Sequence, residues 1–110
     1  MKTYTINGKE YSEFDINKRC AELMGVYVAL KGSGPHMYLD KGPDEEYNPF
    51  EIWDDTGPII EKCWDELMAV KQCADKHQAE WEQTGWGCIM EYHNCTKLVA
   101  ACICFIEVNS

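Results

Sequence analysis

An α+β domain, a small antiparallel sheet with an N-terminal helix and a buried C-terminal helix, is what this 110-residue sequence predicts. Three observations carry that expectation. Asn7-Gly8 sits between two short runs of strand-forming residues, the signature of a tight hairpin whose turn needs positive φ. Ser12 stands three residues before Asp15 at the head of a helical pattern, a relative of the capping box. Leu98 to Ile106 is a run of nine apolar residues, and a helix apolar on every face must be buried or covered by another chain.

The elements follow in order. Tyr4 to Tyr11 reads as the first hairpin. A helix then runs to Met24 with Phe14, Ile16, Cys20, Leu23 and Met24 as its apolar set and Gly25 as its stop. Val26 to Leu30 and Met37 to Leu39 read as a second hairpin across Gly32-Ser33-Gly34-Pro35. Residues 41–49, rich in Gly, Pro and acids, read as a loop. A short helix is expected from Pro58, since proline suits a first helical turn. Residues 64–71 fit a helix or a strand equally well. The segment 75–85 leans helical up to Gly85, Trp86 to Tyr92 reads as a strand, and Asn94 is expected to cap a last helix over 95–107 packed on the sheet. One domain, 1–110, accounts for the chain, without repeats or linkers.

Charge is unevenly spread. Asp40 to Glu66 holds ten acids against Lys41 and Lys62, a net of −8, whereas the other 83 residues sum to −1. Tyr47, Phe50, Trp53 and Trp64 interrupt the acids, which points to an ordered negative face rather than a solvated tail. Such a face repels nucleic acid and anionic membrane and attracts basic proteins. No apolar run approaches the roughly 20 residues that span a bilayer. No signal-peptide core follows Met1-Lys2-Thr3-Tyr4, so a cytosolic location is expected. Seven cysteines, an odd number, several in apolar contexts, read as reduced core thiols rather than a disulfide framework.

Three segments in this order carry a resemblance: Phe14 to Gly25 with Ile16-Asn17-Lys18 near its start; Tyr47-Asn48-Pro49 leading to Asp54-Asp55 and Gly57-Pro58-Ile59-Ile60-Glu61; and Asn94 to Phe105. Together they resemble the NinX-like family of small proteins encoded by tailed phages and prophages. The last segment departs from the family pattern, with Cys95-Thr96-Lys97 where that pattern has a proline and an arginine; Lys97 is the nearby cation. The resemblance implies a phage origin and a host-cytoplasm setting, and carries no particular chemistry.

Each chemical constellation meets a plainer reading. Cys73 and His77 would share a helical face, and Cys88, His93 and Cys95 are close in sequence, but paired short-spaced zinc motifs are missing. Cys102 and Cys104 point about 200° apart on a helix and cannot chelate together. A cysteine nucleophile would need His36, His77 or His93 as base, and the surrounding acids would raise its pKa. Asp54-Asp55 and Asp65-Glu66 could serve acid–base or Mg²⁺ chemistry, yet adjacent residues point apart. Gly32-Ser33-Gly34-Pro35 lacks the ending of a phosphate loop. The tryptophans come without the basic groove that base stacking uses.

The expectation is therefore a non-enzymatic binding protein, with no cofactor and no metal. It would engage a basic host or defence protein through Glu45, Glu46, Glu51, Asp54 and Asp55, with Tyr47 and Trp53 as desolvated anchors, and could mimic nucleic-acid charge. Direct nucleic-acid or membrane binding is not expected. The alternative is a homo-oligomer whose pocket sequesters a small nucleotide-like signal, with Lys31, Lys97 and Arg19 converging on its phosphates.

Overall fold

The computed structural model describes residues 2–33, 37–42, 45–74 and 77–109. The end of the Gly32-to-Pro35 loop, His36, Asp44 and the start of the 75–85 segment lie outside the described residues. Helices and three small antiparallel ladders make up the α+β fold that the sequence predicts.

β1 (Tyr4–Ile6) and β2 (Lys9–Tyr11) pair with Tyr4 opposite Tyr11. Asn7 and Gly8 take φ of +51° and +81°, the geometry of a two-residue turn that matches strand twist. α1 (Glu13–Met24) starts with a full capping box. Ser12 Oγ accepts the Asp15 N–H at 3.1 Å, and Asp15 Oδ2 accepts the Ser12 N–H at 3.0 Å. Gly25 ends it in the left-handed region, φ +71°.

β3 (Ala29–Lys31), β4 (Tyr38–Gly42) and β5 (Glu45–Tyr47) form a three-stranded ladder. The loop expected over 41–49 thus contains the end of one strand and all of another. The reason is local: the Asp40 carboxylate accepts the N–H groups of Gly42 and Glu45, folding the acidic segment back on itself where the ladder bulges. α2 (Trp53–Lys62) begins five residues before Pro58, not at it. Pro58 lies on the exposed side, so the backbone bond it removes faces water. Thr56 is fully buried and its hydroxyl donates to the carbonyls of Pro49 and Ile52, at 2.5 and 2.8 Å.

The ambiguous stretch after Cys63 divides into α3 (Trp64–Met68) and β6 (Val70–Ala74). β7 (Glu80–Thr84) pairs with β6, and α4 (Gly85–His93) follows. These reverse the sequence expectations of helix then strand. The β6–β7 ladder is mostly exposed on both faces, so it shows no alternation of apolar and polar residues. α4 is set instead by its cap, the Thr84 hydroxyl accepting the Gly87 N–H. Asn94 closes α4 in the left-handed region, and Thr96 caps α5 (Lys97–Val108). Asn94 therefore ends one helix rather than starting the next.

α5 is buried from Leu98 to Ile106. It packs against α1, α2 and α4 and touches β1, so its cover is helical rather than the sheet expected. Cys102 and Cys104 do point apart: one thiol meets Cys20 on α1, the other Cys63 between α2 and α3. The neighbouring thiol in each pair, and then burial, push Cys63 and Cys102 up, which disfavours the reactive thiolate. Cys20, Cys63, Cys95, Cys102 and Cys104 are free thiols. Cys73 on β6 and Cys88 on α4 depart from that reading: they pair with Cα atoms 5.2 Å apart, a separation that a disulfide spans.

The α3–β7 corner is tight at one point. Gly85 donates its N–H to Ala69 at 2.7 Å, and a Cβ there would run into the backbone carbonyl of Glu66. Gly57, inside α2, has room for a Cβ except towards the ring of Pro58, the residue after it. Gly85→Ala is expected to destabilise the fold by about 1–3 kcal/mol. At Gly57 the helix propensity of Ala is offset by the crowding of a Cβ before proline, so Gly57→Ala should stay within about 1 kcal/mol of the parent. Urea unfolding of the two variants beside the parent checks the contrast.

Candidate functional site

Folding sorts the acids of residues 40–66 into two kinds. Asp40 and Asp55 are internal. Asp40 pairs with Lys31 at 3.6 Å, and its carboxyl is held below the ordinary aspartate range, first by the Gly42 N–H and then by the Glu45 N–H and Lys31, against the effect of burial. Asp55, with its side chain 2% exposed, takes the Lys41 ammonium on one oxygen and the Asn48 N–H at 2.8 Å on the other. The Asp55 bond is the main cause of the raised Lys41 pKa.

Of the seven residues read from sequence as partner-binding, Glu45, Glu46, Glu51, Trp53 and Asp54 are exposed. Tyr47 and Asp55 are not. Tyr47 is 4% exposed, and its hydroxyl, near Cys20 and Cys102, has no hydrogen-bond partner among the described residues. Asp55 is consumed by the Lys41–Asn48 clamp. Neither can touch a partner without unfolding its surroundings. Glu45 lies 3.6 Å from Lys41, and Glu66 3.0 Å from Lys71. Among the described residues Glu46, Glu51, Asp54, Glu61 and Asp65 form no ion pair. Trp53 and Trp64 stand beside them, 58% and 50% exposed. Trp64 rests its ring edge-on against Trp86, which fixes its orientation.

A cleft of about 660 Å³ opens where the first turn of α1 meets β4, β5 and the turn before α2. Tyr4, Phe14, Tyr38 and Phe50 supply aromatic walls, with Tyr4 and Phe50 edge-to-face at 6.0 Å. Its floor is a buried amide pair: Asn17 Nδ2 donates to Asn48 Oδ1 at 3.0 Å, and Asn17 Oδ1 accepts the Phe50 N–H at 3.1 Å. Asn48 Nδ2 in turn donates to Glu46 at 2.9 Å. Partial burial, then the nearby Glu51 and Glu46, push the Glu13 carboxyl above the ordinary glutamate range. Asn17 and Asn48 belong to two separate family-like segments of the sequence; that they meet was not legible there, Phe50 stood out only as one of the aromatics among the acids, and Glu13 carried no signal of its own.

The remaining sequence candidates disperse. Cys73 lies on a strand and His77 beyond it in a turn, so no helical face joins them. Among the described residues no group of three or more His, Cys, Asp or Glu is placed to hold a metal ion, and no helix is long and apolar enough to cross a membrane.

A small α+β protein with one helix buried from Leu98 to Ile106, an acid-rich surface and an aromatic cleft floored by two asparagines is the class these features define. The family model described as Bacteriophage P22, NinX matches residues 7–108, and the chain belongs to that family. No curated protein and no solved structure matches it.

Asp55→Ala would strand the Lys41 ammonium and the buried Asn48 N–H, and should cost about 3 kcal/mol. The neighbouring exposed Asp54→Ala should stay within about 0.5 kcal/mol of the parent in the same denaturation experiment. Glu13 binds its proton more tightly folded than unfolded, so the stability it lends is present below its ordinary value of 4.5 and lost as pH rises through the folded value. Glu13→Gln should match the parent near the acid end of that window and exceed it in melting temperature near neutrality.

Proposed function

We propose that this chain is a phage accessory binding protein that works in the host cytoplasm by engaging a basic surface of a host or defence protein. The observation that carries this reading is the group Glu46, Glu51, Asp54, Glu61 and Asp65, exposed and without ion-pair partners among the described residues, beside half-exposed Trp53 and Trp64. Unpaired surface carboxylates steer a basic partner and select against acidic ones. Large aromatic side chains bury area at low entropic cost and dominate binding energy at interface centres. The combination could present the charge pattern of a nucleic-acid backbone to a protein built to bind one.

The nucleotide-sequestering alternative draws less support. Arg19 pairs with Glu22, Lys31 with Asp40, and Lys97 lies over the Trp86 ring, so each cation it would need is engaged with a different neighbour. The aromatic cleft is lined by Glu13, Asp15 and Glu46 against Lys2, an environment that repels phosphate.

The test is capture from host lysate by the immobilised protein at low and high salt, with mass spectrometry of what is held. One basic protein should be retained at low salt and released at high salt, and lost when Glu46, Glu51 and Asp54 are reversed to Lys or Trp53 is replaced by Ala. Undiminished capture by the charge-reversed variant would overturn the reading.

A further inference from the structure

Two carboxylates without ion pairs line the aromatic cleft, and a third stands close to them. Glu13 comes from the first turn of α1 and Glu46 from β5, and Glu51, from the turn before α2, acts on the Glu13 carboxyl from the edge of the cleft. None of the three is in an ion pair among the described residues. Lys2 also lines the cleft, but its ammonium is occupied, donating to the Asn94 carbonyl at 2.8 Å and resting 5.1 Å from the centre of the Tyr4 ring. Like charges gathered beside aromatic walls are costly in the free protein, and a cation entering from outside relieves that cost.

We propose that this cleft receives an arginine side chain of the basic partner, its guanidinium among Glu13, Glu46 and Glu51 and its stem against Phe14, Tyr38 and Phe50. The proposal rests on the acidic-face reading and places one contact of that interface. Arginine fits better than lysine on three counts. Its planar fork of donors can serve carboxylates that arrive from different directions. Its weakly hydrated, flat cation stacks on aromatic rings. Its charge persists at any working pH. At about 660 Å³ the cleft is roomy enough for residues flanking the arginine, so the occupant is a peptide segment of a folded or extended partner. The buried Asn17–Asn48 pair holds the floor rigid, since both amides are already committed to each other, to Glu46 and to the Phe50 backbone.

The experiment titrates the isotope-labelled full chain with a blocked Gly-Arg-Gly tripeptide and follows backbone amides by NMR. Lysine and citrulline versions run alongside; citrulline keeps the shape and removes the charge. Saturable shifts at Glu13, Glu46, Asn48 and Phe50 are expected with the arginine peptide, and about tenfold weaker binding with citrulline. Glu46→Gln and Glu51→Gln should each weaken the arginine peptide about tenfold while leaving the melting temperature close to the parent value. Equal binding of arginine and citrulline, shifts confined to α2 and α3, or no saturable shift would each overturn the assignment. The two readings fail separately. Salt-sensitive capture of a basic protein without a response to the arginine peptide removes the cleft and keeps the acidic face. A cleft that binds the peptide, in a protein whose capture survives reversal of Asp54, Glu61 and Asp65, keeps the cleft and removes the wider face.

Discussion

From Leu98 to Ile106 every side chain of α5 is buried, so water must be kept from the whole circumference of the helix and not from one stripe of it. A single sheet cannot do this, because a flat surface covers only one side. Helices α1, α2 and α4 do most of the covering, with smaller shares from α3 and the first hairpin. α1 presents Ile16 and Cys20, α2 presents Ile59 and Ile60, α4 presents Trp86, and the hairpin presents Tyr4 and Ile6. Each larger apolar side chain removed from water contributes roughly 1.5–3 kcal/mol. The three ladders are correspondingly small and sit outside this core. The β3–β4–β5 ladder has its own minor cluster around Ala21, Leu39 and Tyr47.

Between the two clusters lies a polar seam of Asn17, Asn48, Asp55 and Lys41. Its members come from α1, the turn after β5, α2 and β4. Buried polar groups are tolerated only when satisfied, and here each one satisfies another, so the seam fixes how the ladder docks on the helices. It also sets the character of the surface. By drawing Asp55 inward and turning Tyr47 toward the thiols, it leaves Glu46, Glu51, Trp53 and Asp54 outside. Charge that is continuous along the segment becomes structural in one part and accessible in another.

What could be read from the chain was whatever its local chemistry decides. Asn7-Gly8, the Ser12–Asp15 box, the Gly25 stop and the apolar run of α5 act within a few residues, and all four stand in the fold. What misled was segments whose state depends on distant partners. Residues 86–92 carry aromatic and β-prone side chains together with Gly87, yet the Thr84 cap and packing on α5 make them helical. The 80–84 segment is polar because neither face of its strand is buried. Acids and prolines read as a loop because composition does not reveal the Asp40 hydrogen bonds that turn the segment into two strands. The candidate site was half legible: its exposed acids, Phe50 and Trp53 lie within the charged stretch, whereas Glu13 and Asn17 join it only through folding.

The helix around which everything packs is also the last described element in chain order. On a ribosome that works from the N-terminus, α1, α2 and α4 all emerge before the surface they are meant to cover. Until α5 leaves the exit tunnel, Ile16, Ile59, Ile60 and Trp86 have no common partner, and the nascent chain can hold only local structure such as the first hairpin and the capped α1. This core is therefore completed only once α5 has been made, and a chain that stops short of Leu98 has nothing to fold around.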